Sequence, residues 1–326
     1  MTNKRDDFDP KAYNPEFEYS FLKPKYWGTW LAVFSSVLIA LLPLSFHQWL
    51  AKVLASRLVK SKANSVNNVK TNLALCFPHL SEQERDKLVY KTLYTAGVFT
   101  LRFGLVSLRS PEWLQSKCDF VHQEQLFELT EQNQKVILLV PHSWSIDIPA
   151  VLLASKGLPV SAMAKRQKNP VTDWLMHRQR VQYGGRVYER SGGIKPFIKS
   201  IKEGYLGYYL PDQDHGAELS EFVDFFATTK ATLPGLTKLA KLSKSKVIPT
   251  FASLDPETGR FSIEFMPPLT LQETDSDDAR SLNEAVEYFV SKTPEQYMWT
   301  LRLLRTQADG SNPYREMREH GFIKQK

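Results

Sequence analysis

The chain has very little cysteine. Cys76 and Cys118 are the only two in 326 residues. Two thiols build neither a disulfide framework nor a structural zinc cluster, so small disulfide-rich secreted domains and zinc fingers are excluded. We expect both to be buried thiols of a protein that works in a reducing compartment.

Signatures of nucleic-acid binding are also missing. No basic helix, ladder of aromatic and basic residues or zinc pattern supports nucleic acid as a partner, and the sequence has no internal repeat and no low-complexity run. Yet 42 Lys and Arg against 35 Asp and Glu leave a net charge of +7, which favours an acidic protein partner or an anionic surface. An apolar content of 42% with 24% charged residues is typical of one large globular domain with appendages.

The N-terminus lacks the basic start of a secretory signal peptide. Its first 20 residues carry five acidic side chains, namely Asp6, Asp7, Asp9, Glu16 and Glu18. We interpret residues 1–25 as an irregular, proline-containing arm.

Charged residues are absent from positions 26–51. The centre of this stretch, LAVFSSVLIALLPLSF, is apolar, and tryptophans stand near both ends. A bilayer-spanning helix needs about 20 apolar residues, so we predict an N-terminal apolar membrane helix, spanning or lying in one leaflet, within a membrane-associated segment at 26–61. The alternative is a buried helical hairpin of a soluble protein. The cations that follow place the remaining domain, 62–326, on the cytoplasmic side; they are Lys52, Arg57, Lys60, Lys62 and Lys70.

Short apolar strands and helical segments alternate through the middle of the chain. Strands are predicted at 136–140, 160–164, 186–188, 207–210, 246–251 and 260–266, and helices at 145–155, 170–183, 196–203, 232–242 and 277–292. This alternation predicts an α/β fold with a mostly parallel central sheet flanked by helices. Such sheets bind ligands at the carboxyl ends of their strands.

The segment PHSWSIDIP follows the most apolar of these strands. It holds His142 and Asp147 five positions apart, which suits a general base and a carboxylate that orients it. The two meet if His142 lies on the turn and Asp147 one turn into the next helix. His79 and Glu84 share this spacing, but Ser81 and Glu84 predict a capping box, so we interpret His79 as structural. A hydrogen-bonded histidine at a strand end is the alternative for His142.

Further polar groups follow two other strands. Arg190 ends the segment GGRVYER, and the loop PDQDHG carries Asp212, Gln213 and Asp214. Asp212, Asp214 and His215 stand too close together to surround an ion alone, so no metal site is predicted.

The order of these blocks resembles the glycerolipid acyltransferase superfamily. His-x4-Asp, Gly-x2-apolar-apolar-x-Arg, an apolar-Pro-acid segment and Val247-Ile248-Pro249 correspond to its four motifs. The glycerol-phosphate branch has Pro-Glu-Gly where this chain has Pro211-Asp212-Gln213. The stretches GGIKPFIKSI, GYYLPDQDHG, SEFVDFFATTKATLPG and PEQYMWTLRLLRT are most similar to the myristoyltransferase-type branch of the bacterial lipid A late acyltransferases.

The resemblance implies an acyltransferase of lipopolysaccharide biosynthesis, with its catalytic domain on the cytoplasmic face of the bacterial inner membrane. Its donor would be the phosphopantetheine thioester of acyl carrier protein, with no bound cofactor. Its acceptor would be the 3-hydroxyl of a fatty chain already on lipid A. The resemblance further implies His142 as general base, Asp147 as the carboxylate that fixes its tautomer, and backbone N–H groups after His142 as an oxyanion site.

For substrate binding, the resemblance implies cations on phosphate groups of lipid A or of the carrier's prosthetic arm. Arg190 is one, and Lys165 or Arg166 is the other. The family often has Tyr-Arg-Pro where this chain reads Ala-Lys-Arg, so both residues stay candidates. The loop Asp212-Gln213-Asp214 would bind sugar hydroxyls or orient Arg190.

Two other interpretations stay open. One is a phospholipid or glycerol-phosphate acyltransferase, and the other is a non-catalytic protein that binds anionic membranes through basic helices. A group of lysines near the predicted helix at 232–242 fits a solvated face or a docking surface for the acidic carrier. These are Lys238, Lys241, Lys244 and Lys246.

Overall fold

A seven-stranded sheet forms the centre of the protein. The computed structural model describes residues 9–320, so the start of the predicted N-terminal arm, residues 1–8, lies outside the described residues. The strands are β1 Cys118–Val121, β2 Lys135–Leu139, β3 Val160–Ala164, β4 Arg186–Glu189, β5 Leu206–Tyr209, β6 Glu221–Phe225, β7 Thr228–Thr232, β8 Ser245–Leu254 and β9 Phe261–Phe265. Their order across the large sheet is β1-β9-β8-β2-β5-β3-β4, and β6 and β7 form a separate hairpin.

The predicted α/β fold with a mostly parallel sheet is confirmed. Every neighbouring pair in the large sheet is parallel except β8 with β9. The turn between these two strands is short, and within it the Asp255 N–H donates to the Arg260 carbonyl at 2.9 Å. Such a connection has no room for the crossover helix that a parallel pair needs.

Helices flank the sheet and extend the protein at both ends. They are α1 Trp27–Ala40, α2 Leu44–Leu58, α3 Asn64–Cys76, α4 Glu82–Arg102, α5 Leu105–Leu108, α6 Pro111–Ser116, α7 Glu124–Glu131, α8 Ile148–Ser155, α9 Pro170–Arg180, α10 Lys195–Lys202, α11 Leu236–Ser243, α12 Asp275–Lys292 and α13 Pro313–His320. The predicted capping box of Ser81 and Glu84 is present at the start of α4.

β2 lies in the middle of the sheet because its side chains are apolar on both faces. Val136, Ile137, Leu138 and Leu139 are all buried. β8 and β5 flank this strand. Because β2, β5, β3 and β4 run parallel, their carboxyl ends share one border of the sheet, here called the carboxyl edge.

The prediction that one N-terminal helix spans the membrane is wrong. Residues 26–51 belong largely to two shorter helices, α1 and α2, and no helix in the described chain is both long and apolar enough to cross a bilayer. Pro43 makes the break, because its backbone is extended and it has no N–H to continue the hydrogen bonds of α1. His47 Nε2 lies 2.7 Å from the Ile39 carbonyl and ties the two helices together. With 14 residues, α1 is only about 21 Å long.

The two N-terminal helices differ in how they are covered. α2 packs closely on α4: Ala51 and Ala55 are buried, and a Cβ on Gly97 would lie 3.1 Å from the Ala51 Cβ. α1 leaves one face uncovered. Four large residues at helical spacing, here called the apolar stripe, are each at least 50% exposed: Trp27, Leu31, Phe34 and Leu38.

The hairpin of β6 and β7 packs on α12. It turns at Phe226, whose φ of 52° lies in the left-handed region. The Phe226 N–H donates to the Glu287 carboxylate at 2.8 Å and so attaches the turn to α12. Val223 pairs with Lys230 across the hairpin, which places a lysine on a strand in the protein interior.

Candidate active site

The carboxyl edge brings His142 and Asp212 into direct contact. His142 follows β2, and Asp212 follows β5, its parallel neighbour. The His142 backbone N–H donates to Asp212 Oδ2 at 2.8 Å, and the ring Nδ1 lies 2.5 Å from Asp212 Oδ1. Asp212 is 1% exposed and His142 9%. The carboxylate therefore fixes both the main chain and the ring of the histidine, and both residues are buried.

Asp212 is held in its ionised form. Burial raises the pKa of this carboxyl, but the charge and hydrogen bonds of His142, together with the charge of Lys230, lower it overall to about 2. An ionised carboxylate only accepts hydrogen bonds, so Nδ1 of His142 carries the proton and donates it. Nε2 of the neutral ring keeps its lone pair, which is the tautomer of a general base.

The chain around Tyr297 borders His142. Its hydroxyl donates to Asp212 Oδ2 at 2.9 Å, and burial raises the pKa of this phenol well above its usual range. Tyr297 also pairs with Ser143 in an antiparallel bridge, and the Met298 N–H donates to the His142 carbonyl at 2.8 Å. This pairing engages Ser143, the residues from 144 to 147 form a turn, and α8 begins only at Ile148.

Asp147 does not lie against His142, as predicted, but against Arg180. It immediately precedes α8, and its Oδ1 accepts a hydrogen bond from Arg180 Nε at 2.9 Å. The contact with Nδ1 of His142 that we predicted for Asp147 belongs to Asp212. The prediction started the helix at about residue 145, whereas a turn follows the bridge between Ser143 and Tyr297 and the helix begins only at Ile148.

The backbone after His142 offers fewer free donors than predicted. The Ser143 N–H donates to the Pro141 carbonyl at 2.9 Å, and the Trp144 N–H donates to the Gln296 carbonyl at 3.1 Å. With the His142 N–H on Asp212, these three groups are engaged inside the protein. An oxyanion site at the start of α8 stays a prediction for the N–H groups that follow.

Gln213 connects the histidine to the first predicted cation. Arg190 is exposed at the end of β4, and its Nη1 donates to Gln213 Oε1 at 3.4 Å. The Gln213 amide nitrogen lies 3.1 Å from His142 Nε2. The Gln213 amide therefore contacts His142 Nε2, which is the nitrogen that would take a proton from a substrate.

The second predicted cation site lies at the end of β3. Lys165 and Arg166 are both exposed there. Arg166 pairs with Glu189 at 2.9 Å, and its guanidinium lies 4.5 Å from the ring centroid of Tyr13 in the N-terminal arm. The two residues thus share the carboxyl edge with Arg190.

Asp214 directs its carboxylate into the protein. Its oxygens accept hydrogen bonds from the Thr306 N–H at 2.7 Å, the Thr306 hydroxyl at 2.8 Å and the Gly216 N–H at 3.0 Å. These contacts attach the loop after β5 to the chain beyond α12. The side chain is almost completely buried.

Two buried residues that act on Asp212, one by a hydrogen bond and one by its charge, were not predicted from the sequence. Tyr297 lies in PEQYMWTLRLLRT, which only carried a resemblance, and Lys230 lies in a hairpin that was not predicted. A buried lysine has no local signature, since the sequence does not show which strand faces the interior. Within the described part of the chain, no group of three or more His, Cys, Asp or Glu side chains is arranged to hold a metal ion.

Fold and site together define a class of enzyme. A histidine oriented by a buried carboxylate, with its second nitrogen at the carboxyl edge of an α/β sheet, can take a proton from a hydroxyl nucleophile. Enzymes that transfer a group onto a hydroxyl, and enzymes that use water to hydrolyse a substrate, have this arrangement of histidine and carboxylate.

Comparison with known proteins defines the family. The sequence model of the bacterial lipid A biosynthesis acyltransferases matches residues 14–306, and the chain belongs to this family. The chain is 46% identical to the lipid A biosynthesis myristoyltransferase of Escherichia coli K12, over 93% of this chain and 95% of that protein. It is 40% identical to a lipid A biosynthesis acyltransferase of Haemophilus influenzae, over 93% and 95% of the two chains. The lipid A biosynthesis lauroyltransferase of E. coli K12 is 28% identical, over 91% and 97%. The protein is therefore a lipid A acyltransferase, which confirms the family predicted from the motifs.

Proposed function

We propose that the protein transfers a fatty acyl chain from the thioester of acyl carrier protein to the 3-hydroxyl of a fatty chain already attached to lipid A. The observation that carries this proposal is the pair of His142 and Asp212, which are 2.5 Å apart, with His142 Nε2 beside Gln213. An aliphatic hydroxyl is a poor nucleophile at neutral pH and needs a base at the moment of attack. In this proposal, His142 is that base.

In the proposed reaction, the acceptor oxygen attacks the thioester carbonyl carbon while His142 Nε2 takes its proton. The carbon–oxygen bond forms, and the carbonyl oxygen becomes a tetrahedral oxyanion. Asp212 stabilises the imidazolium through Nδ1. When the carbon–sulfur bond breaks, the imidazolium returns the proton to the leaving thiolate. The products are the new ester and the free thiol of the carrier.

The substrate groups enter from the carboxyl edge in this proposal. Arg190 and Lys165, with Arg166 as the alternative to Lys165, meet phosphate on lipid A or on the carrier's prosthetic arm. The lysines around α11 do not fit this task as well. Lys246 pairs with Val136 at the start of β2, at the opposite border of the sheet, and Lys238 pairs with Asp275 at 3.0 Å. We therefore favour a solvated face for those lysines.

A lipid surface is the proposed location. The apolar stripe of α1 presents Leu31, Phe34 and Leu38 to the outside, and a contiguous apolar face is typical of a helix that lies on a bilayer. We place the enzyme at the cytoplasmic face of the bacterial inner membrane, where both the acidic carrier and its lipid acceptor are within reach.

An acyl-transfer assay tests the proposed function. The protein is incubated with acylated acyl carrier protein and an under-acylated lipid A precursor, and mass spectrometry measures the lipid product. We expect one or more added acyl masses with the wild type and none with His142→Ala, whose fold is checked by circular dichroism. Lysophospholipid in the same assay tests the phospholipid alternative. Wild-type turnover by His142→Ala, or transfer only to lysophospholipid, contradicts the proposal.

A further inference from the structure

The hydrogen bonds around His142 form a chain with a fixed direction. Arg190 Nη1 donates to Gln213 Oε1 at 3.4 Å, and the Gln213 amide nitrogen lies 3.1 Å from His142 Nε2. On the other side of the ring, Nδ1 lies 2.5 Å from Asp212 Oδ1. A guanidinium can only donate and an ionised carboxylate can only accept. The two ends therefore set every bond between them, and the Gln213 amide donates to the lone pair of His142 Nε2.

This arrangement leaves no place for a proton on His142 Nε2. A proton there would face the amide NH₂ of Gln213, donor against donor. Rotating the amide by half a turn would bring Oε1 to the ring, but it would place the NH₂ against the Arg190 guanidinium, which is again a donor. His142 therefore cannot accept a proton from a hydroxyl while Arg190 holds Gln213 in this position.

Arg190 is the member of the chain that can let go. It is exposed at the end of β4, and its bond to Gln213 is longer than an ordinary N–H···O bond. The adjacent carboxylate, Glu189, pairs with Arg166 instead, at 2.9 Å. A phosphate offers the guanidinium two charge-assisted hydrogen bonds, which are stronger than one bond to a neutral amide. Phosphate on Arg190 would thus free Gln213 to turn Oε1 toward His142 and accept from the protonated ring.

We propose that Gln213 is a specificity-determining gate on His142, and that a phosphate of the lipid acceptor opens it by binding Arg190. This inference rests on the proposed role of His142 as the general base and adds the condition under which that base becomes available. The gate acts against water. Without it, a water oxygen would attack the thioester carbonyl carbon while His142 Nε2 takes its proton. The carbon–sulfur bond would then break, the proton would pass to sulfur, and a fatty acid and a free thiol would result.

The first test measures hydrolysis of acylated carrier protein in the absence of acceptor. Gln213→Met keeps the length of the side chain and removes the amide, and we expect it to hydrolyse the thioester about fivefold faster than the wild type, which is about the effect of one hydrogen bond. Gln213→Ala is expected to act in the same direction if the methionine variant folds poorly. Slower hydrolysis would mean that the amide assists the reaction. An unchanged rate would mean that the carrier's own phosphate already opens the gate or that none exists. Either result overturns the proposal.

A glutamine elsewhere in the fold provides the matched control. Gln182 precedes β4, at the border of the sheet opposite the carboxyl edge, and its Nε2 donates to the Val106 carbonyl at 3.0 Å. Gln182→Met removes a comparable amide hydrogen bond far from His142. We expect this variant to hydrolyse the thioester like the wild type. Equal acceleration in Gln182→Met and Gln213→Met would show a general loosening of the fold and would overturn the gate.

A second readout does not depend on acyl chemistry. Diethyl pyrocarbonate reacts with the lone pair of neutral imidazole, so the rate of His142 labelling at one fixed pH, mapped by peptide mass spectrometry, reports how available Nε2 is. We expect labelling about fivefold faster in Gln213→Met than in the wild type. Inorganic phosphate should accelerate labelling of the wild type and have no effect on Arg190→Met. Unchanged labelling in Gln213→Met overturns the inference even if the wild type transfers acyl chains. Faster labelling in a protein that transfers none supports the gate and counts only against the proposed reaction.

Discussion

His142 and Asp212 are 70 positions apart in the chain, yet they form two hydrogen bonds, one to the backbone and one to the ring. Asp147, only five positions from His142, is bonded to Arg180 instead. The neighbour in sequence is therefore not the neighbour in space. β2 and β5 lie side by side in the sheet, and this adjacency creates the pair.

Replacing each aspartate in turn separates their roles. Asp212→Asn keeps the shape but places an amide where Nδ1 needs an acceptor, so the ring loses its tautomer, and we expect kcat to fall by about 10³ to 10⁴. Asp147→Asn removes a partly exposed ion pair with Arg180 and is expected to cost about 1 kcal/mol of stability or less, with kcat changed less than tenfold. The acyl-transfer assay measures both. Equal losses of activity would contradict the assignment of Asp212.

The Tyr297 hydroxyl is expected to contribute to both stability and rate. Tyr297→Phe removes one donor from Asp212, which we expect to lower the unfolding free energy by about 1–2 kcal/mol and kcat by about tenfold. Tyr188 provides a matched control, since its hydroxyl donates to the Asp9 carboxylate at 2.8 Å. Tyr188→Phe should lower stability by a similar amount and leave kcat unchanged. A reduced kcat in both variants would show that the effect is not specific to Asp212.

Asp212 makes the stability of the protein depend on pH. Its pKa falls from an ordinary value of 3.8 to about 2 in the folded state. A carboxyl whose pKa is lowered by folding stabilises the protein above the unfolded value and loses that contribution as pH falls through the folded value. The difference corresponds to about 2 kcal/mol. We expect the stability gap between wild type and Asp212→Asn to shrink by that amount between about pH 5 and about pH 2, as measured by denaturant unfolding. A constant gap would argue against the lowered pKa.

Gly185 fixes the approach of β4 to β3. Its φ is 119°, and an added Cβ would lie 2.7 Å from the Val160 carbonyl oxygen. Gly185→Ala should therefore lower the unfolding free energy by about 3 kcal/mol or more, because both the backbone and the contact are strained. Gly157 has a φ of 86° and nothing within 4 Å of its Cβ position. Gly157→Ala should cost only about 1 kcal/mol. Equal costs would mean that the contact with Val160 relaxes freely.

The apolar stripe should govern binding to lipid vesicles. Replacing Leu31 and Phe34 by serine removes two large exposed side chains, and we expect the vesicle-bound fraction at limiting lipid to drop by about tenfold or more in flotation assays. Leu219 is also exposed, 62%, but lies in the turn after the Asp212 loop. Leu219→Ser should bind vesicles like the wild type. If both variants float equally well, the stripe does not contact lipid.

The sequence predicted the elements that have a local signature and missed those that depend on a partner. The strands ending near His142, Arg190 and Asp212 are apolar or follow glycine, and all were predicted. β1 was missed because only alternate residues of CDFV face the interior, and its partner β9 is more than 100 residues away. The hairpin of β6 and β7 was missed because its turn uses Phe226, a residue that rarely adopts a positive φ.

The site was predicted as a location rather than as a set of contacts. His142 was found because it ends a buried strand, and Arg190 and Asp212 because they follow others. The partner of His142 was not predictable from spacing, since it depends on the order of strands in the sheet. Pro43 was visible in the apolar N-terminal stretch, but the total apolar length outweighed it in the prediction. In the structure, Pro43 divides this stretch into the two helices α1 and α2.

The bridge between Ser143 and Tyr297 affects the order in which the surroundings of His142 assemble. Synthesis adds Tyr297 long after His142, and 85 residues after Asp212. While the nascent chain is still on the ribosome, the sheet can bring His142 and Asp212 together, but the carboxylate still lacks its third donor. The histidine therefore reaches its final setting only when the later segment docks beside it.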